Sequence, residues 1–258
     1  MEQTSSAAIY PSLKDKAVVV SGGASGIGEA IVEAFAKQHA QVFFLDIQDK
    51  AAEILVERLQ GSGLARMKYF HCDLTDIEAL QRTMGEILHQ VPAVDVLLNN
   101  AGNDTRHAVG EVTSEYWDRC MQANLKHQFF MAQAVLPGMR QAQRGAIINM
   151  SSIGWIIPST GIPVYVTAKA AVVGMTRTLA HEVGGDGIRV NAVLPGAILT
   201  DRQRKLWFTE EYKQQILSRQ AIKRMILPDE VAKLILFLAS DESLAITNQS
   251  FVIDGGWV

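Results

Sequence analysis

Only two cysteines, Cys72 and Cys120, occur among the 258 residues. Two cannot build a disulfide framework, and with six scattered histidines they make no zinc-ligand spacing. No metal is therefore expected, and both are expected to be free thiols in a reducing compartment. No apolar run reaches the roughly 18–20 residues that cross a bilayer, so no membrane span is expected. Positive charge is not in excess: 24 Lys and Arg stand against 27 Asp and Glu, which argues against a nucleic-acid partner. Met1–Ser12 lacks the basic start and apolar stretch of a secretory signal. We read 1–12 as a short arm on the surface or against a neighbouring subunit, and the location as cytoplasmic by default. No internal repeat occurs, and no linker rich in Pro, Gly or Ser divides 13–258, which is expected to fold as one domain. A chain of this length buries roughly 70–75% of its unfolded surface and needs no staple.

What is present is a strict alternation. β-Branched or aromatic runs at Lys16–Ser21, Gln41–Asp46, Met67–Cys72, Val94–Asn99, Ala146–Met150, Ile188–Val193 and Phe251–Asp254 predict strands. Between them, apolar residues recur at helical spacing from Gly26, over Lys50–Gln60, Ile77–His89, Tyr116–Gln141 (with Pro137 near its end) and Val164–Val183, and through much of Leu206–Leu238. Strand–helix alternation along a whole chain predicts α/β architecture: one doubly wound, Rossmann-type domain of about seven parallel strands with helices on both faces. The irregular segments Asn103–Val112, Gly154–Pro163 and Gly196–Glu210 all follow strands. They are expected at the carboxyl edge, where such sheets bind ligands.

The first strand runs into Ser21-Gly22-Gly23-Ala24-Ser25-Gly26-Ile27-Gly28. Glycines here permit a tight turn and close approach of a pyrophosphate, and the helix that follows aims its N-terminal N–H groups at that anion. Asp46 ends the second strand and can accept from both adenosine ribose hydroxyls. It would repel a 2′-phosphate. Ile47 follows it, and the glycine loop offers no Lys or Arg, so NAD is expected rather than NADP. Asp73, before Leu74, could accept from an adenine amino group or simply close a turn. Asn99-Asn100-Ala101-Gly102 ends the fourth strand, where the amides can brace strand ends and the small residues leave room for a nicotinamide ribose.

Tyr165 and Lys169 lie four residues apart in a helical stretch and so share a face. A nearby ammonium favours phenolate, which would fit Tyr165 to act as acid or base near neutral pH. Ser152 lies 13 residues before it and can hold the reacting oxygen. Asn124 is a candidate to hold a water for proton relay to Lys169.

These residues together resemble the short-chain dehydrogenases/reductases of the extended-sheet, single-domain type. The resemblance covers about Leu13 to Trp257. It rests on Gly22-x-x-x-Gly26-Ile27-Gly28, Asp46, Asp73, Asn99-Asn100-Ala101-Gly102, Asn124, Ser152, Tyr165-x-x-x-Lys169, Pro195-Gly196 and Asp254-Gly255-Gly256. It implies a catalytic tetrad of Asn124, Ser152, Tyr165 and Lys169. It also implies dinucleotide contacts from Gly22, Ser25, Gly26, Ile27, Gly28, Asp46, Ile47, Asp73, Leu74, Asn100, Ala101, Gly102, Tyr165 and Lys169. Pro195, Ile198 and Thr200 would hold the carboxamide, and a homotetramer would meet at the C-terminal strand. The spacing to Tyr165 selects Ser152 over Ser151. Ser21 stands where Thr is commoner and keeps the hydroxyl.

Polar residues Asp104, Arg106, His107, Arg202 and Arg204, with Trp155 and the Leu206-Trp207-Phe208 run, suit a polyhydroxylated ring better than a steroid or acyl chain. These segments and the start Ala8-Ile9-Tyr10-Pro11-Ser12-Leu13-Lys14 also resemble bacterial D-xylose 1-dehydrogenases and related aldose 1-dehydrogenases. That resemblance implies oxidation of a cyclic aldose at its anomeric hydroxyl to the lactone. The rival is a dehydrogenase of a sugar acid or keto-deoxy sugar acid, in which Arg106, Arg202 or Arg204 would clamp a carboxylate. A hydroxysteroid dehydrogenase and a dinucleotide-binding sensor without catalysis are more distant readings.

Overall fold

A computed structural model describes residues 8–206 and 209–258. Its seven strands are β1 (Ala17–Ser21), β2 (Gln41–Asp46), β3 (Met67–His71), β4 (Val96–Asn99), β5 (Gly145–Met150), β6 (Ile188–Pro195) and β7 (Ser250–Ile253). They form one sheet in the order β3-β2-β1-β4-β5-β6-β7, parallel throughout. The order reverses between β1 and β4, and the crevice above that point is where doubly wound sheets receive their ligands.

The near-continuous apolar strands follow from burial on two sides. Val18 and Val20 of β1, with Val42 and Phe44 of β2, point into one core cluster; Val19, Phe43 and Leu45 point into the other. Helices α1 (Gly26–Lys37), α2 (Asp49–Gly61) and α9 (Pro228–Ala239) cover the first face. Helices α3 (Ile77–Leu88), α5 (His127–Ala142) and α6 (Pro163–Val183) cover the second. Phe35, Phe43 and Phe44 are completely or almost completely buried, and each such side chain stabilises by about 1.5–3 kcal/mol. Cys72 and Cys120 are free and buried. No helix of the described residues is long and apolar enough to cross a membrane.

Element boundaries depart from the sequence pattern in a few places. β4 begins at Val96 rather than Val94, because the Asp95 carboxylate takes the Ala17 N–H at 3.0 Å and faces Lys16 and Arg144. β6 runs on to Pro195, paired with β7. The long helix expected over Tyr116–Gln141 is two helices, α4 (Ser114–Met121) and α5, joined through a π turn at Gln122–Lys126. Pro137 falls inside α5, which continues to Ala142. The region after β6 contains α7 (Asp201–Leu206) and α8 (Glu210–Arg219) before α9. Trp207 and Phe208, which the sequence placed at the substrate mouth, lie outside the described residues, as do residues 1–7 of the arm. The rest of the arm runs along the domain: Gln38 accepts from Tyr10 N and donates to Ala8 O.

Candidate active site

The glycine loop joins β1 to α1 at the switch point. Gly22 and Gly26 adopt positive φ. A Cβ on Gly28 would stand 1.8 Å from Gly22 O, so only glycine lets the helix start so close to the strand end. From beneath, the Asn100 amide donates to Ser21 O and Gly22 O, and Ser21 Oγ accepts from Asn100 N and Ala101 N. Asn100 thus braces the loop, the role the sequence allowed for an amide here. Ser25 is the N-cap of α1 yet makes no side-chain cap; its hydroxyl accepts from Gln48 Nε2 at 3.1 Å. Its side chain therefore leaves the first-turn N–H groups of α1 uncapped, as an anion site requires.

Asp46 is buried at the end of β2. One carboxylate oxygen accepts from Ala24 N at 2.9 Å and the other from Gln48 N at 3.0 Å. Ile47, next to it, is exposed. Asp73 Oδ1 closes a turn on Thr75, and Leu74 is buried. On the far side, Pro195 and Ile198 are buried, and Ile198 pairs with Ile226. Thr200 caps α7 and reaches across to the glycine loop: its Cγ2 lies 3.2 Å from a Cβ built on Gly26. The glycine loop with its uncapped helix start, and the Asp46 carboxylate, fit a nucleotide cofactor.

The four reacting candidates converge where β4, β5 and α6 meet. Asn124 is fully buried inside the π turn, which rules out the helix-surface amide that its sequence position alone would suggest. It accepts from Asn103 N at 2.8 Å and donates to Asn103 O and Cys120 O. Lys169 is 2% exposed and donates to Met150 O at 2.9 Å. A Cβ on Gly102 would lie 3.1 Å from both Asn124 Oδ1 and Lys169 Nζ, so the glycine keeps open the gap beside these two groups. Ser152 follows β5 in extended backbone and accepts from Gly154 N. Ser151 donates to Lys169 O at 2.7 Å, so it faces the helix backbone, in line with the choice of Ser152. Lys169 Nζ lies 5.6 Å from the centroid of the Tyr165 ring.

The residues predicted for the substrate mouth separate into two groups. Asp104 pairs with Arg202 at 3.4 Å and accepts from Gln203 Nε2 at 3.0 Å; Arg202 also donates to Asn103 Oδ1. This cluster ties α7 to the loop after β4. Arg106 instead lies over the Tyr212 ring. His107 is held by Tyr116 OH at 2.7 Å and Thr105 O at 3.0 Å, and its other nitrogen faces Val164 N. Trp155 sits partly exposed at the end of the short helical turn after Ser152. Arg204 is exposed on α7.

The sequence pattern of the enoyl-(acyl carrier protein) reductase family matches residues 22–258. The chain is a short-chain dehydrogenase/reductase. As such it is an oxidoreductase acting on CH–OH groups. A D-xylose 1-dehydrogenase of Caulobacter vibrioides is 48% identical, over 98% of this chain and 99% of its own. A probable galactose dehydrogenase of Rhizobium meliloti is 45% identical, over 96% of each chain. Among solved structures, a 3-oxoacyl-[acyl-carrier protein] reductase from Brucella melitensis with bound NAD superposes with a TM-score of 0.87 at 33% identity, over 97% of this chain and 94% of that one.

The electrostatics of the dehydrogenase correct one expectation. Lys169 was expected to lower the Tyr165 pKa. In the structure burial pushes the phenol above the usual tyrosine value, the Asp104 carboxylate pushes the same way, and only a hydrogen bond with Ser152 pulls it back. Burial also brings Lys169 down to about 8, opposed by Asp104 and Cys120. Lys169 Nζ lies 5.6 Å from the centre of the Tyr165 ring, and burial of the phenol outweighs the effect expected of the ammonium. Sequence reasoning missed Asn103, whose backbone holds both ends of the Asn124 amide, and Gln203, which fastens Asp104. Neither carries a motif.

Behind the site, burial lowers the pKa of His127 to about 4, with Lys169 acting in the same direction. Its unfolded value is near 6.5, so between these values the unfolded chain binds the proton and the folded one does not. Stability is expected to fall by about 3 kcal/mol as pH drops from 6.5 towards 4. Denaturant titrations across that window test this. His127→Gln should lack the step, and a step of unchanged size in His127→Gln would assign it to another group.

Proposed function

We propose that this dehydrogenase oxidises a free aldose at its anomeric hydroxyl to the lactone, with NAD as the dinucleotide and Tyr165 as proton acceptor. The observation that carries the choice of substrate is Asp104. Its charge acts on both Tyr165 and Lys169, so a carboxylate already stands near the reacting position. The guanidinium nearest to it, Arg202, is committed to Asp104 and Asn103, and Arg106 packs on Tyr212. A sugar acid would bring a second negative charge against the first. A neutral polyol finds acceptors and donors instead. The sugar dehydrogenases of Caulobacter vibrioides and Rhizobium meliloti, at 48% and 45% identity, support the same reading.

When bound, NAD would supply a hydride acceptor and the positive charge of its oxidised ring. Tyr165 takes the hydroxyl proton as the carbon gives up its hydride, and Ser152 holds the oxygen. Lys169 holds the ribose side of the site, and Asn124, fixed by Asn103, sets the route by which the proton leaves towards Lys169. Glycine loop amides would hold the pyrophosphate, Asp46 the adenosine ribose, and Pro195, Ile198 and Thr200 the carboxamide. Asp46 and the lack of a cation in the glycine loop support NAD over NADP. The reading carries with it a cytoplasmic homotetramer in contact at β7, one of the two edge strands of the sheet.

The experiment is NADH formation at mildly alkaline pH over D-xylose, L-arabinose, D-galactose, L-fucose and several sugar acids, with NAD and NADP in parallel. Turnover of free aldoses with NAD is expected. Silence on aldoses with turnover of a sugar acid would replace this substrate class by the other.

A further inference from the structure

Two side chains that the reaction does not use point at the backbone that mounts it. His127 and Gln128 open α5, immediately after the π turn, and both are completely buried. His127 Nδ1 lies 3.3 Å from Gln122 O, the first residue of that turn. Gln128 Nε2 donates to Asn124 O at 3.4 Å and to Met150 O at 3.3 Å. Met150 O is also the acceptor of Lys169 Nζ. One amide therefore touches the carbonyl of Asn124 and the carbonyl that holds Lys169. Asn99, at the end of β4, donates to Gln128 O at 3.1 Å and so pins the helix backbone at this residue.

The packing is a poor bargain for stability. Among the described residues, Gln128 Oε1 and His127 Nε2 are buried with no hydrogen-bond partner, and an unpartnered buried polar atom destabilises the fold. An apolar side chain of the same shape would avoid that penalty. A π turn also displaces carbonyls from their ordinary helical partners, and such turns cluster at functional sites.

We propose that Gln128 is a positioning residue: its side-chain amide sets the spacing between Asn124 and Lys169 by bridging Asn124 O and Met150 O, with His127 fastening the start of the same turn. This inference rests on Asn124, Tyr165 and Lys169 acting as assigned above.

The test compares Gln128→Met and Gln128→Glu in the full-length protein, on whichever sugar the wild type turns over, with Tyr165→Phe as a separate control. Gln128→Met keeps the length of the side chain and removes both donors. Its kcat is expected to fall roughly tenfold, within the range that misplacement outside the reacting shell produces. KM for sugar and Kd for NAD should stay near wild type, and the melting temperature should hold or rise. The loss should not multiply with that of Asn124→Ala, because both act through one group. Wild-type kcat in Gln128→Met, or losses that multiply fully in the double variant, would overturn the positioning role. If Gln128→Met does not fold, Gln128→Glu decides. It has the same shape but cannot donate to both carbonyls, so it must show the kcat loss, and a wild-type kcat would overturn the proposal. Retained turnover in Tyr165→Phe would instead remove the site assignment beneath it.

Discussion

Tyr165→Phe is expected to lower kcat by about 10²–10⁴-fold, the usual range for loss of a positioned proton-transfer group. The phenol is the one hydroxyl in the cluster that both feels the Ser152 hydroxyl and lies on the same helix face as Lys169. Its pKa is raised rather than lowered in this structure, which sharpens the expectation. A phenol held neutral carries the proton that the reductive direction needs, whereas oxidation needs it as an acceptor. Rates of oxidation should therefore climb with pH, and rates of reduction should fall. Phenylalanine removes one neutral hydrogen-bonding group and leaves the glycine loop and Asp46 untouched, so Kd for NAD should change by no more than about tenfold. Stopped-flow hydride transfer and a binding titration check both halves. A Tyr165→Phe enzyme with near-normal kcat would remove Tyr165 from the chemistry, and one that no longer bound NAD would show the substitution to be structural.

Periodicity carried the fold because this sheet is buried on both faces. Runs such as Val18-Val19-Val20 and Val42-Phe43-Phe44-Leu45 feed two cores at once, and a chain that repeats strand and helix has few ways to bury them. The glycine loop was legible for a related reason: Gly28 sits where any Cβ would strike Gly22 O, and spacing alone reveals such a steric demand. Asn124 was legible by position and not by environment, since its burial depends on a π turn that helical periodicity does not mark. The carboxylate–guanidinium tie between Asp104 and Arg202 joins a loop to a helix 98 residues on, and no local pattern could pair them. The rise in the Tyr165 pKa was missed for the same reason. The four-residue spacing to Lys169 was visible, but the burial that opposes the ammonium is a property of the assembled site.

Lys169→Met is expected to lose turnover and gain stability together. Lys169 Nζ is buried and donates to one carbonyl, Met150 O. Burial brings its pKa from 10.5 to about 8, so holding it charged at neutral pH costs the folded state about 3 kcal/mol. Methionine keeps most of the aliphatic stem and removes the charge. It also gives up the bond to Met150 O, worth about 1 kcal/mol, but that carbonyl keeps Gln128 as a donor. The net gain is about 2 kcal/mol, or roughly 4–8 °C in melting temperature for a domain of this size. Its pH dependence fixes the cause. A lysine with a depressed folded pKa destabilises fully below about 8 and ceases to do so as pH rises through 10.5, where the unfolded chain loses the proton as well. The advantage of Lys169→Met should therefore be largest at neutral pH and shrink steadily above 8. Melts of both proteins without cofactor, at neutral and strongly alkaline pH, give the comparison. Equal stability at neutral pH would mean that the buried ammonium is better solvated than its surroundings imply. A gain that persists unchanged above pH 10.5 would trace it to packing of the methionine. A gain confined to lower pH identifies Lys169 as a charge that destabilises the fold, and lost turnover in the same variant would tie that charge to the reaction.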